Sequence, residues 1–185
     1  MALILIKEDG SGLIDANSYA SVADGDAYHD AHLYATAWTA ATTANKEKAL
    51  AMATRLLDEE FQFNGFKVIP TQALQWPRQR CPDPDASPGP IVSGISWRTE
   101  AFVASNIVPA RVIQATCEMA RELLIADRTG PPAGEGISMQ RNADLSEISY
   151  SKKDRRPVIT CAAAGLLSKY GSLLKKMNTV RLVRT

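Results

Sequence analysis

The chain has 185 residues and a mass of 20.1 kDa, which is the length of about one domain. With 45% apolar and 22% charged residues, its composition excludes collagen-like, fully disordered and disulfide-scaffold proteins. The formal net charge is +1, so no overall field draws the chain to nucleic acid or to an anionic membrane.

The charge is nevertheless unevenly distributed along the chain. Residues 1–60 contain four Lys or Arg and ten Asp or Glu, a net charge of −6, whereas residues 138–185 contain ten basic and three acidic residues, a net charge of +7. The opening apolar run is too short for a signal peptide, and no run approaches the roughly 18 apolar residues of a membrane span. We therefore expect no membrane partner.

Four amphipathic helices are predicted as the core. Ser21, three residues before Asp24, forms a capping-box pattern at the start of the first helix. The spacing of Leu50 and Leu57 predicts the second helix, and Pro109 suits the first turn of the third. The predicted bounds are 22–34, 44–60, 109–127 and 158–170.

Short strands and loops are expected around these helices. The apolar run Ala2–Ile6 predicts one strand, and the weak alternation over Leu145–Tyr150 predicts another. Asn64-Gly65 lies among three phenylalanines and predicts an aromatic turn that folds back onto the second helix. Five prolines between Pro77 and Pro90 predict a loop without regular pairing.

The predicted fold class is mainly α, a small helical bundle with short peripheral β-strands and extended loop and terminal arms. One helical domain is expected over residues 1–178, with an extended loop at 79–105. Residues 179–185 are expected to form a C-terminal arm, because they alternate apolar and basic side chains.

The only histidines of the chain are the first candidates for chemistry. His29 and His32 lie one helical turn apart, near Asp26 and Asp30, which is a conceivable start for a metal site. No third ligand follows at a suitable spacing, so two solvated side chains are the simpler interpretation. We predict no metal site.

The three cysteines give no stronger signal. Cys81, Cys117 and Cys161 are too far apart for the close pairs of zinc sites. Cys117 and Cys161 fall within apolar helical stripes, where buried, protonated thiols are expected. With no phosphate-binding loop or nucleophile motif in the chain, we predict that the protein is not an enzyme and has neither catalytic residues nor a cofactor.

Basic side chains near the end of the chain are candidates for contact with DNA phosphates or with an acidic protein surface. Single-stranded DNA binding uses aromatic side chains interleaved with the cations, and only Tyr150 and Tyr170 qualify here. Both partners therefore stay open. The candidate contacts are Lys152, Lys153, Arg155, Arg156, Lys175 and Lys176.

Four segments of the chain carry a resemblance to a known group of proteins. They are Glu8-Asp9-Gly-Ser-Gly-Leu-Ile-Asp-Ala-Asn-Ser-Tyr19, Thr71-Gln-Ala-Leu-Gln-Trp-Pro-Arg78, Val108-Pro-Ala-Arg-Val112 leading to Cys117-Glu-Met-Ala120, and Val180-Arg-Leu-Val-Arg184. Together these segments resemble the head-to-tail adaptor proteins of tailed bacteriophages, also called head completion, neck or connector proteins. The same group carries the name DnaT-like single-stranded-DNA-binding protein.

The resemblance implies a structural virion protein located in the neck, with host cytoplasm as its location during assembly. A ring of twelve copies is expected beneath the portal protein, with a tail-side neck or tail-terminator protein below it and double-stranded DNA passing through the channel. The alternative is a DnaT-like accessory protein that binds single-stranded DNA.

Two segments are the expected contacts of such a ring. Trp76 and Arg78 are candidates for the subunit or partner interface, since Trp and Arg are enriched among the residues that dominate interfaces, although Trp76 capping the core is an equal alternative. The C-terminal arm is expected to add a strand to the portal, with an edge strand inside the same subunit, against Ala2–Ile6, as the alternative. Its residues are Val180, Arg181, Leu182, Val183 and Arg184.

Overall fold

A computed structural model of the chain describes residues 3–86, 91–92, 95–96, 101–130, 137–141, 147–150 and 157–174. Of the two short hairpins at 91–96 and 137–150, only the backbone is described. The described part contains five helices: α1 (Val22–Asp30), α2 (Thr36–Thr39), α3 (Thr43–Glu60), α4 (Ala110–Ile125) and α5 (Cys161–Leu167). The predicted mainly α fold with minor β-structure is confirmed.

The core lies where α3 and α4 pack against each other. Helix α3 contributes Leu50 and Leu57, and α4 contributes Val112 and Met119, all without solvent exposure. Burying a side chain of this size stabilises the fold by about 1.5–3 kcal/mol. Helices α1 and α5 pack on α4 from other sides.

The eight strands of the described part pair as four antiparallel two-stranded sheets. The first sheet joins β1 (Phe61–Phe63) to β8 (Gly171–Leu173), with Phe61 opposite Leu173. The second joins β2 (Phe66–Lys67) to β3 (Arg78–Gln79). The remaining two are the hairpins β4 (Ile91–Val92) with β5 (Ile95–Ser96), and β6 (Ile137–Arg141) with β7 (Glu147–Tyr150).

The structure tests the predicted helix bounds and their caps. The capping box at Ser21 and Asp24 is confirmed, since each side chain accepts a hydrogen bond from the other residue's N–H. The first helix ends at Asp30 rather than at residue 34, and the separate short α2 follows it. Helix α5 begins three residues later than predicted, because the Thr160 hydroxyl accepts the N–H of Ala163 and caps the helix there. Within the described residues, no helix combines the length and the apolarity that crossing a bilayer requires.

The predicted N-terminal strand is wrong for its described residues, 3–6. These residues form no strand, and the neighbouring Lys7 makes an isolated parallel bridge with Ser18. The segment is instead held by a turn, in which the buried Glu8 carboxylate accepts hydrogen bonds from the N–H groups of Gly10, Gly12 and Leu13 at 2.8–2.9 Å. Gly10 has φ of +101°, and a Cβ there would lie 2.1 Å from the backbone oxygen of Asn106, so the turn requires glycine.

The sheet predictions have a mixed outcome. The strand over 145–150 is confirmed from Glu147, where β7 pairs with β6. The proline loop does pair at its beginning, through β3 and through a bridge between Pro82 and Phe102. Residues 179–185 lie outside the described part, so the arm, its alternative pairing and the proposed division of the chain stay predictions.

Candidate functional site

Trp76 lies in the core. Its side chain has no solvent exposure, and its ring meets the rings of Phe63 and Tyr170 edge to face, with centroids 5.8 and 5.9 Å apart. The peptide bond to Pro77 is cis. Among the described residues the indole Nε1 has no hydrogen-bond acceptor. The visible contacts of Trp76 are therefore those of a core residue.

Arg78 is buried as well and contacts two neighbouring segments of its own chain. Its guanidinium donates through Nε to the Asn64 carbonyl at 2.8 Å and through Nη2 to the Gly65 carbonyl at 2.6 Å. Its Nη1 donates to the backbone carbonyl of Gln75 at 3.1 Å and to that residue's side-chain oxygen at 2.9 Å. The guanidinium thus ties the 64–65 turn to the segment before Pro77.

The half-buried carboxylate of Asp58 lies on the other side of this segment. Tyr19 donates its hydroxyl hydrogen to Asp58, and the second carboxylate oxygen accepts the N–H of Gln75 at 3.0 Å. The Tyr19 oxygen also accepts the N–H of Trp76 at 3.2 Å. Burial raises the pKa of Asp58 to about 6, against the hydrogen bonds, which lower it.

These contacts bear on the two residues predicted at an interface. Trp76 and Arg78 are both buried within the subunit, Trp76 among aromatic rings and Arg78 against backbone carbonyls. The burial of Trp76 agrees with the alternative in which this side chain caps the core. Their role in a subunit interface is untested and stays a prediction.

His29 and His32 lie where α1 meets α4. The His29 side chain is 2% exposed, and its Nε2 lies 3.2 Å from the carbonyl oxygen of Cys117. The Nε2 of His32 lies 3.2 Å from the buried Glu118 carboxylate, which also accepts hydrogen bonds from Tyr28 and Arg121. In the part of the chain that the structure describes, no group of three or more His, Cys, Asp or Glu could hold a metal ion.

A cavity of about 550 Å³ opens beside this junction. Ala27, Ala31, Ala110 and Ile113 give it mostly apolar walls, and Gln114 contributes a polar side chain. Small side chains at helical spacing on both α1 and α4 leave a groove between the helices. Tyr28 and His32 also line the cavity, and both side chains donate to Glu118.

Five of the described cations outside the core are matched by nearby carboxylates. Lys7 pairs with Asp24 and Lys46 with Asp26, each at 2.7 Å. Further pairs are Arg121 with Glu118 and Glu122, Arg128 with Glu122, and Lys169 with Asp85. The six predicted DNA or acidic-surface contacts, Lys152, Lys153, Arg155, Arg156, Lys175 and Lys176, lie outside the described residues, as do Val180, Arg181, Leu182, Val183 and Arg184 of the arm.

Large apolar side chains are exposed at several places on the surface. Leu33 is 84% exposed and its neighbour Tyr34 is 73% exposed, directly after α1. A second group lies around the N-terminal turn: Ile69 and Ile107 approach the glycines of that turn, and Ile14 follows it with 74% exposure. We call these the Leu33–Tyr34 loop and the turn patch (Ile14, Ile69, Ile107). Neither surface was predicted from the sequence.

Phe66 is also more exposed than expected. The predicted aromatic turn buries Phe61 and Phe63 but leaves Phe66 63% exposed on β2. The exposed Arg80, with φ of +57°, packs its backbone against Gly65, and the exposed Phe102 bridges to Pro82 two residues further on. Phe66, Arg80 and Phe102 were not predicted to share a surface, because Phe66 and Phe102 come from distant segments of the chain.

The cysteines differ from one another in exposure. Cys117 is buried as predicted, and burial raises the pKa of its thiol to about 12. Cys81 is buried too, and burial raises its pKa. The predicted burial of Cys161 is wrong: Thr160 caps α5, so Cys161 is the first residue of the helix and is exposed.

Comparison with known proteins assigns the chain to a family. The family model described as "Putative DnaT-like ssDNA binding protein" matches residues 1–185. No curated protein and no solved structure matches the chain. The match confirms the second name of the group that the sequence motifs resemble, and it carries no statement about a portal or a tail. The chain belongs to the DnaT-like ssDNA binding protein family.

Proposed function

We propose that this protein is a structural component of a tailed-phage virion, an adaptor that forms a ring between the portal and the tail. The observation that carries the proposal is the exposure of large apolar side chains in the Leu33–Tyr34 loop and the turn patch. Exposed apolar groups that lie next to one another are typical of surfaces that other proteins cover. The resemblance of the sequence motifs to phage adaptors supports the same function.

The charges of the described surface support protein contacts over nucleic-acid contacts. A protein that binds DNA through phosphates needs cations that are free to replace counterions. Five described cations, those of the ion pairs above, are engaged by carboxylates, which leaves the exposed Lys48, Arg55 and Arg80 without an ion pair among the described residues. We infer that the uneven distribution of charge between the two ends of the chain serves contacts between copies, as a closed ring needs two unlike surfaces on each subunit.

The test is to image the purified protein with and without the portal protein of the same phage by electron microscopy. A closed ring that docks coaxially on the portal supports the proposal. A protein that stays monomeric with the portal at concentrations well above micromolar overturns it. The arm residues 179–185 are the predicted portal contact, and the tail-side neck or tail-terminator protein is the predicted partner on the opposite face.

The Leu33–Tyr34 loop offers a direct test of the interface. Replacing both residues by serine should weaken association by about thirtyfold, because interface anchors contribute about 2 kcal/mol or more. The melting temperature should change by no more than about 2 °C, because both side chains are exposed in the subunit. Analytical ultracentrifugation measures the first quantity and differential scanning calorimetry the second.

A matched control changes two exposed side chains away from this loop, on α3. The variant with Lys48 and Arg55 on α3 replaced by serine should keep both the association and the melting temperature. Equal association of the Leu33–Tyr34 variant and the control would exclude this loop from the interface.

Binding of single-stranded DNA is the second candidate function. The family description favours it, and the family model covers the whole chain. Phe66, Arg80 and Phe102 supply exposed aromatic groups beside an exposed cation, the combination on which bases stack. The basic residues of the last third would add phosphate contacts.

Titration with a labelled oligo(dT) of about 30 nucleotides separates the two functions. At about 150 mM salt we expect a dissociation constant above about 10 µM, within the range of non-specific binding. A submicromolar constant with a steep salt dependence would reverse the order of the two functions. In that case, alanine at Phe66 and Phe102 should weaken binding by about tenfold or more, whereas serine at Leu33 and Tyr34, which leaves the charge unchanged, should not.

A further inference from the structure

One hydrogen bond and one unpartnered nitrogen of the His29 ring favour its neutral form. A carbonyl oxygen can only accept, so the Nε2 facing the Cys117 carbonyl carries the hydrogen. The other ring nitrogen, Nδ1, is buried and has no partner among the described residues. His29 is therefore neutral when α1 is docked on α4, and a second proton would have no acceptor there.

Unlike His29, the His32 ring has a partner at each of its two nitrogens. Its Nδ1 accepts the N–H of Tyr34 at 3.1 Å, which leaves the hydrogen on Nε2, where it is donated to Glu118. The ring centroids of the two histidines are 5.8 Å apart. A charge on His29 would therefore lie close to a second imidazole, and Arg121 adds a nearby positive charge.

Some groups around His29 favour a positive charge on its ring, but they do not outweigh burial, which disfavours that charge. The negative charge of Glu118 and the Cys117 carbonyl favour the protonated form, whereas burial opposes it most and lowers the pKa of His29. The Trp38 ring of α2 packs against the His29 ring, with the two ring centroids 5.0 Å apart. The titratable and charged groups around it are Asp26, Tyr28 and His32 from α1 and the turn after it, and Cys117, Glu118 and Arg121 from α4.

The sign of the pH effect follows from linkage. A histidine whose pKa is lower in the folded than in the unfolded state binds more protons when α1 is released. Its contribution to docking is therefore complete above about pH 6.5, the ordinary value, and is lost as the pH falls towards the folded value.

We propose that the contact between α1 and α4 is a pH-sensitive latch, closed at neutral pH and released in mildly acidic solution by protonation of His29. Release of α1 would separate Ala27 and Ala31 from Ile113 and so open the groove between the two helices. The latch is independent of the proposed adaptor function and of DNA binding.

Hydrogen exchange of the full chain, followed by mass spectrometry at pH 7.0 and 5.5, tests the latch. After correction for the intrinsic exchange rate, peptides covering residues 22–34 should exchange about tenfold faster at pH 5.5. In the variant His29→Gln this acceleration should be absent, because the amide can still donate to Cys117 but cannot titrate. In His32→Gln, which keeps His29, the acceleration should remain.

A local readout is needed because Asp58 titrates in the opposite sense. Its pKa is raised in the folded chain, so its contribution to stability is lost as the pH rises through about 6. Equal acceleration in the wild type and in His29→Gln would overturn the proposal, and so would equal acceleration over α3, which would indicate global unfolding. An NMR titration of the wild type gives a check without substitution: His29 titrating at its ordinary value in the docked state would also overturn it.

Discussion

Replacing Trp76 by alanine should lower the free energy of unfolding by about 3–5 kcal/mol, the range for a large aromatic side chain in a core. The indole is fully buried between Phe63 and Tyr170, so its removal leaves a cavity that these rings cannot fill without moving. Domains have about 5–15 kcal/mol of stability in total, so the variant should be close to unfolding. Urea denaturation followed by circular dichroism measures the change.

The same experiment separates the two roles considered for Trp76. Trp76→Phe keeps most of the packing volume and should cost clearly less than Trp76→Ala, without loss of folding. If Trp76→Ala instead keeps its urea midpoint and loses only its assembly with other copies, Trp76 is an interface anchor and the core assignment is wrong.

Replacing Arg78 by lysine should destabilise the chain by about 2–4 kcal/mol. The guanidinium reaches the carbonyls of Asn64, Gly65 and Gln75 at once, and a single ammonium group cannot reproduce this fork. Each buried acceptor left without a partner costs about 1–3 kcal/mol. Thermal and urea unfolding of the variant give the magnitude.

Arg55→Lys is the matched control for this substitution. Arg55 is exposed on α3, so the same chemical change there should stay within about 0.5 kcal/mol. An effect at Arg78 as small as that at Arg55 would mean that the three carbonyls find water instead.

The helices could be predicted because their evidence is local. Helix α3 begins within one residue of the predicted start, since its buried positions repeat at the helical period and Thr42 caps it. The first helix was predicted too long, because Leu33 and Tyr34 continue its apolar pattern although both side chains face solvent. A sequence pattern counts apolar residues and does not show which of them the fold covers.

The strand pairing and the environment of Arg78 could not be predicted, because both depend on contacts between distant segments. Strands β1 and β8 are three residues each and come from opposite halves of the chain. Composition and periodicity do not separate a buried arginine from an exposed one. The Asn64-Gly65 turn and the nearby Gln75 were the available signal, since a turn leaves carbonyls without strand partners. Glu8 is a similar case, because its carboxylate binds the backbone N–H groups of a turn next to the segment where a strand was expected.

The unequal exposure of the three thiols provides a natural attachment point for chemical probes. Cys161 is accessible at the first turn of α5, whereas Cys81 and Cys117 are enclosed and kept protonated. A maleimide dye or a cross-linker therefore reacts at one defined position of the described chain without prior removal of other cysteines. Distances measured from that position can map how neighbouring copies or partners are arranged around each subunit.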